Sequence, residues 1–166
     1  MTVTVTKDMV ADVLRRVKEL TKSEVLIGIP DANAERTGDD GKTEPITNAG
    51  IGYVMEFGSP AQNIPARPFL LPGVESMRDA AVERLKIAGG KALSGQKSDI
   101  EKELTKVGIL GQNAVQAKIT DGPFQPLAPR TLKAREARGR TGAKPLIDTG
   151  KLRESVSFVV HQKGDK

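Results

Sequence analysis

The sequence predicts an α+β fold: a small, mostly antiparallel sheet packed against a long helical hairpin and an N-terminal helix, with long loops. Three observations support it. Glu24–Ile29 and Ser155–Val160, near opposite ends of the chain, have the composition of strands. Two apolar stripes between residues 72 and 120 repeat every three or four positions, as long helices do. With one Tyr, four Phe and no Trp, the core is built mainly from Val, Leu, Ile and Ala, which suits helices laid on a narrow sheet. At 166 residues, with no internal repeat and no composition break, the chain reads as a single domain over 1–166.

Taken in order, Thr2–Thr6 alternates Thr and Val and reads as a short strand. Asp8 then caps a helix whose apolar face is Met9, Val10, Val13, Leu14, Val17 and Leu20. Glu24–Ile29 is a strand stopped by Pro30. Residues 31–47, rich in Asp, Gly and Thr, form a long mobile loop. Asn48–Phe57 is a helix despite two glycines, with Ile51, Val54 and Met55 along one side. Pro65 and Pro68 hold Ile64–Leu70 extended, since each restricts the residue before it.

Pro72 suits the first turn of the next helix, which carries Val74, Met77, Ala81, Leu85 and Ala88 up to Gly89-Gly90. Ser98 and Glu101 form a capping box for a second helix carrying Ile100, Leu104, Val107, Leu110, Ala114 and Val115. Gly108 and Gly111 inside it each cost about 1 kcal/mol relative to Ala, so close approach of another backbone is expected there, with a kink as the alternative. Thr131–Arg138 is a short basic helix, 139–144 an exposed basic loop, and Asp148 or Thr149 the cap of a short segment ahead of the final strand.

Composition excludes several chemistries. There is no Cys and a single His, His161, so neither a disulfide framework nor a thiolate or histidine metal centre is expected. No apolar run reaches the length of a membrane span, and the N-terminus lacks the pattern of a secretion signal, which suggests synthesis in a reducing cytoplasm. Asp148-Thr149-Gly150 matches the aspartic-protease triplet, but Lys151, Arg153 and Glu154 follow at once and only sixteen residues remain, too few for a flap. Ser94-Gly95-Gln96-Lys97 fits S-x-x-K without the companion boxes of that chemistry, and no phosphate-cradling glycine loop occurs. The expectation is a protein that is not an enzyme, with no cofactor, no metal and no catalytic residue.

Net charge is +5 and unevenly placed: Arg130, Lys133, Arg135, Arg138, Arg140 and Lys144 are opposed only by Glu136. Such a cluster suits phosphates or an acidic protein surface, and is equally compatible with a solvated loop. No aromatic residue interleaves it, so single-strand stacking lacks a platform.

Three stretches in this order resemble the virion-morphogenesis family of tailed bacteriophages, the neck and tail-completion proteins of lambda-like and Mu-like phages. They are Asn48–Phe69 with EFG and IPARPF, the paired helices of 72–120, and Pro126–Ser155 with PLAPRT, KPLIDTG and KLRES. The resemblance covers most of residues 48–160. It implies a structural virion protein at the neck or head-proximal end of the tail, assembling as a ring that completes the tail and permits head–tail joining. The partners implied are other copies of the chain, head-closure and tail proteins, and DNA in the channel by non-specific contact, with no membrane. Interface residues expected from the first motif are Glu56, Phe57, Pro65, Arg67, Pro68 and Phe69. The second adds Thr149, Gly150 and Leu152 to the basic cluster; Pro126, Leu127, Thr131, Pro145, Leu146 and Ser155 also fall on it. Phe124 stands two residues before the PL segment, where members of that family often carry an aromatic immediately before it. The alternative reading is a basic nucleic-acid-binding module.

Overall fold

The computed structural model describes residues 9–30, 35–38 and 41–163. Its elements are α1 (Val10–Leu20), β1 (Ser23–Gly28), α2 (Asn48–Phe57), a 3-10 turn (Pro60–Gln62), α3 (Leu70–Ser76), α4 (Arg78–Leu93), α5 (Lys97–Asp121), α6 (Pro129–Glu136), α7 (Lys151–Ser155) and β2 (Ser157–Gln162). The α+β expectation is borne out, with helices packed on a two-stranded antiparallel sheet. The expected strand Thr2–Thr6 and the Asp8 cap lie outside the described residues.

β1 and β2 join the two ends of the chain, Leu26 opposite Val159 and Ile27 opposite Phe158. Because strand side chains alternate, Val25, Ile27, Phe158 and Val160 share one face, and Glu24, Leu26, Val159 and His161 the other. The first face lies on α5, which also packs against α3 and α4. Gly108 and Gly111 make this possible. A methyl group on Gly108 would run into the Phe158 ring, and one on Gly111 into Ile27. The close approach expected at these glycines therefore exists, but side chains of the sheet make it and not a backbone.

One core cluster joins Phe69 to Val115 and Ile119 of α5 and to Leu146, Leu152 and Val156 of the C-terminal segment, with Ile51 and Met55 of α2 packed against it. Burying each large member stabilises by roughly 1.5–3 kcal/mol. Motifs far apart in sequence meet in this cluster.

Several boundaries differ from the sequence reading, each for a local reason. The first hairpin helix is two helices with a joint at Met77 (φ −102°, ψ 5°). There Ser76 Oγ donates to Gly73 O at 2.7 Å, a local bond that competes with the helical ladder. α4 continues through Gly89-Gly90 because Ala88 and Ala92 are buried around them. α5 begins one residue before Ser98, with Gln96 at the cap position, so the capping box does not set its start. α6 starts at Pro129, where proline's fixed φ suits a first helical residue. α7 is preceded by Gly150 in the left-handed region (φ 83°) without a side-chain cap, since the Asp148 carboxylate is held by Arg135 and Arg140 instead. β2 starts at Ser157, since α7 extends through Ser155.

The described residues of the 31–47 loop, 35–38 and 41–47, are held by backbone pairing rather than mobile. Thr37 bridges Thr43, Gly38 N donates to Lys42 O (2.8 Å), and Glu44 N donates to Arg36 O (2.8 Å), forming a small hairpin. Lys151 Nζ tethers it by donating to Thr37 O at 2.5 Å.

Candidate functional site

The proline-flanked motif begins at the C-terminal end of α2. Thr47 caps α2 by accepting from Gly50 N at 3.1 Å, and the next-to-last residue of the helix is Glu56. Its carboxylate accepts from the N–H groups of Phe69, Leu70 and Leu71 at 2.7, 2.9 and 3.0 Å. α3 has no capping side chain of its own, so Glu56 supplies the negative charge its free N–H groups require. Between the two, Arg67 N donates to Met55 O at 2.6 Å. The Arg67 guanidinium is buried and donates to Gln125 O (2.9 Å) and Pro126 O (3.0 Å), tying this motif to the PL segment. Burial lowers its pKa below the ordinary arginine value.

A second arginine organises the C-terminal motif. Arg135, also buried, donates to the carbonyls of Gly142, Lys144 and Ile147 at 2.8–2.9 Å and of Pro145 at 3.2 Å. Asp148 Oδ1 lies 3.4 Å from its Nε, and Asp148 Oδ2 accepts from Arg140 at 2.6 Å. Lys144 Nζ donates to Thr120 O at 3.0 Å. The 142–147 segment is thus wound around one guanidinium.

These bonds sort the expected interface residues. Glu56, Arg67, Phe69, Arg135 and Leu152 are occupied within the protein: the first caps α3, the arginines hold carbonyls, and Phe69 and Leu152 fill the core. Arg140 and Lys144 are engaged at the surface, Pro65 is half-buried, and Gly150 forms the turn before α7. Phe57, Pro68, Arg130, Lys133, Arg138 and Thr149 face solvent.

Phe57 does not stand alone. It and Tyr53, one turn apart on α2, are each 67% exposed, with ring centres 4.9 Å apart. Together with Leu71, 63% exposed, they rim an open apolar groove of about 450 Å³ whose walls include Ile29, Leu70 and Val74. A second uncovered apolar surface is the outer face of the sheet, where Leu26 (51% exposed) and Val159 (45%) stand opposite each other. Each strand also has one edge without a partner among the described residues. The apolar stripe of α1 continues this pattern, since Met9, Val10, Leu14 and Val17 are exposed although their spacing predicted burial. The reason is that α1 rests on α4, with Arg16 donating to Leu93 O at 3.0 Å, and the narrow sheet gives it nothing wider to cover.

Sequence reasoning missed Tyr53, Leu71, Leu26 and Val159. For Tyr53 a signal existed: it lies four residues before Phe57, on the side of α2 away from Ile51 and Met55. Family models, curated proteins and solved structures were each compared with this chain, and none matches it.

Proposed function

We propose that this chain is a structural virion protein of a tailed phage, acting at the neck or head-proximal end of the tail, and that it works by assembling into a ring. Its role is to complete the tail and present a surface to which head-closure or tail proteins dock, without catalysis. The observation that carries this reading is that one protomer leaves two different apolar surfaces uncovered: the α2–α3 groove with Tyr53, Phe57 and Leu71, and the outer sheet face with Leu26 and Val159. A single self-complementary patch yields a two-fold dimer. Two different patches that meet each other yield a head-to-tail contact, which closes into a ring when the rotation allows. The order of the motifs resembling the virion-morphogenesis family supports the same reading.

The occupant assigned to the groove is the outer sheet face of the neighbouring copy, with Leu26 and Val159 set against Tyr53 and Phe57. Phe57→Ser and Leu26→Ser should each break the contact, from opposite sides. A mixture of the two variants should form heterodimers and no ring, because each retains one intact surface. Sedimentation of the variants alone and mixed reads this directly. Assembly unaffected by both substitutions would overturn the proposal.

The nucleic-acid-binding alternative draws on the solvent-facing Arg130, Lys133 and Arg138. It predicts a monomer that changes size only with DNA, and loses that response as salt rises.

A further inference from the structure

We propose that the cleft between the paired segments 36–38 and 42–44 and the start of α7 binds a phosphate group. The cleft has a volume of about 390 Å³ and is lined by Arg36, Arg138, Arg140, Lys151 and Thr149, with Glu44 the one carboxylate among its described lining residues. The four cations come from three separate parts of the chain, so the fold gathers them and no run in the sequence announces the site. Asp148 neutralises Arg140, but Arg36, Arg138 and Lys151 still outnumber Glu44 in the lining, and an anion placed among them relieves that excess of positive charge.

Among the described residues, two of the four cations are held by hydrogen bonds and two are not. Arg140 is oriented by Asp148 at 2.6 Å, and Lys151 by Thr37 O at 2.5 Å. The guanidiniums of Arg36 and Arg138 have no hydrogen bond or ion pair among the described residues, leaving both planar forks available. A guanidinium fork matches two oxygens of one phosphate, and Thr149 in the lining offers a neutral donor. A second hollow shares Arg36, Thr149 and Lys151 and has Ile51, Met55 and Leu146 in its wall, providing room for the rest of a phosphate-bearing molecule. The phosphate is either a diester of duplex DNA or a free small phosphate.

The test uses the full chain and two probes: inorganic pyrophosphate by calorimetry, and a short labelled duplex by fluorescence anisotropy from about 50 to about 200 mM salt. Arg36→Ala/Arg138→Ala should weaken the probe that binds by about tenfold or more, the loss of roughly 1.4 kcal/mol per decade. For the duplex, the slope of log affinity against log salt should fall by about 2. Lys86→Ala/Lys102→Ala removes the same charge from exposed positions of α4 and α5, and should leave affinity within about twofold if binding is local. Thermal melting of each double variant confirms that the fold is retained. Binding of the duplex alone identifies the backbone as the source, and binding of pyrophosphate identifies a free phosphate. Equal weakening by both double variants, or no binding of either probe, would overturn the proposal. Assembly is read separately by light scattering, so loss of the cleft and failure of ring formation are distinguishable.

Discussion

A guanidinium inside a protein is tolerated only where its donors meet acceptors, and Arg67 and Arg135 meet that condition with main-chain carbonyls. Replacing Arg135 with Met leaves several carbonyls of the 142–147 segment unsatisfied and should cost about 3 kcal/mol. Arg130→Met, at an exposed position, should stay within about 0.5 kcal/mol. Urea denaturation of the two variants checks the contrast, and equal small losses would show that Arg135 does not organise the loop. The sequence could not separate these arginines, because composition registers charge and the deciding acceptors are backbone atoms of distant segments. Glu56 posed the same difficulty, since nothing in the EFG triplet reveals that three N–H groups of α3 converge on its carboxylate.

Glu103 allows a test by pH. Its carboxylate, almost fully buried between α4 and α5, is held below the ordinary glutamate range, chiefly by the hydrogen bond from Lys106 at 2.8 Å, against burial and with help from Lys91. Asp99 is lowered in the same sense, first by its hydrogen bond from Lys102. A carboxylate with a lowered folded-state pKa stabilises fully above its unfolded value, about 4.3 for Glu, and loses that contribution as pH falls through the folded value. The melting temperature should therefore drop below about pH 4, and Glu103→Gln should flatten that part of the profile. An unchanged profile in the variant would contradict this assignment.

At the scale of elements, α2 was legible at both ends, because the stripe of Ile51, Val54 and Met55 is one that its packing also obeys, and the structure adds the Thr47 cap. The α3–α4 joint was not, since the periodicity of Val74, Met77 and Ala81 continues across it while Ser76 and Met77 break the ladder locally. The two glycines of α5 were legible as an anomaly but not in their cause. Gly108→Ala gains about 1 kcal/mol of helix propensity and loses about 1–3 kcal/mol to the Phe158 ring, so a net destabilisation is expected. Adding Phe158→Leu should recover part of it, a coupling that a double-mutant cycle measures. A stabilised Gly108→Ala single variant would show that the sheet does not lie against α5 at that point.

At the scale of the whole molecule, hydrophobic pattern specified which residues are apolar but not which of them find a partner within one chain. The α1 stripe, Tyr53, Phe57, Leu71 and the Leu26–Val159 pair have the composition of buried residues and remain exposed. The proposed ring assigns these patches, carried by different elements, to contact between copies of the chain. The basic cluster shows the converse: Arg135 is taken into the fold, while Arg36 and Lys151 join Arg138 and Arg140 at one cleft.

Light scattering behind size exclusion, on the wild type and on Phe57→Ser across a range of protein concentrations without DNA, tests the ring most directly. The account predicts one discrete oligomer of more than two chains for the wild type, insensitive to moderate salt because its contacts are apolar, and a monomer for Phe57→Ser. A wild-type protein that remains a monomer at every concentration, or that stops at a two-fold dimer, would contradict it.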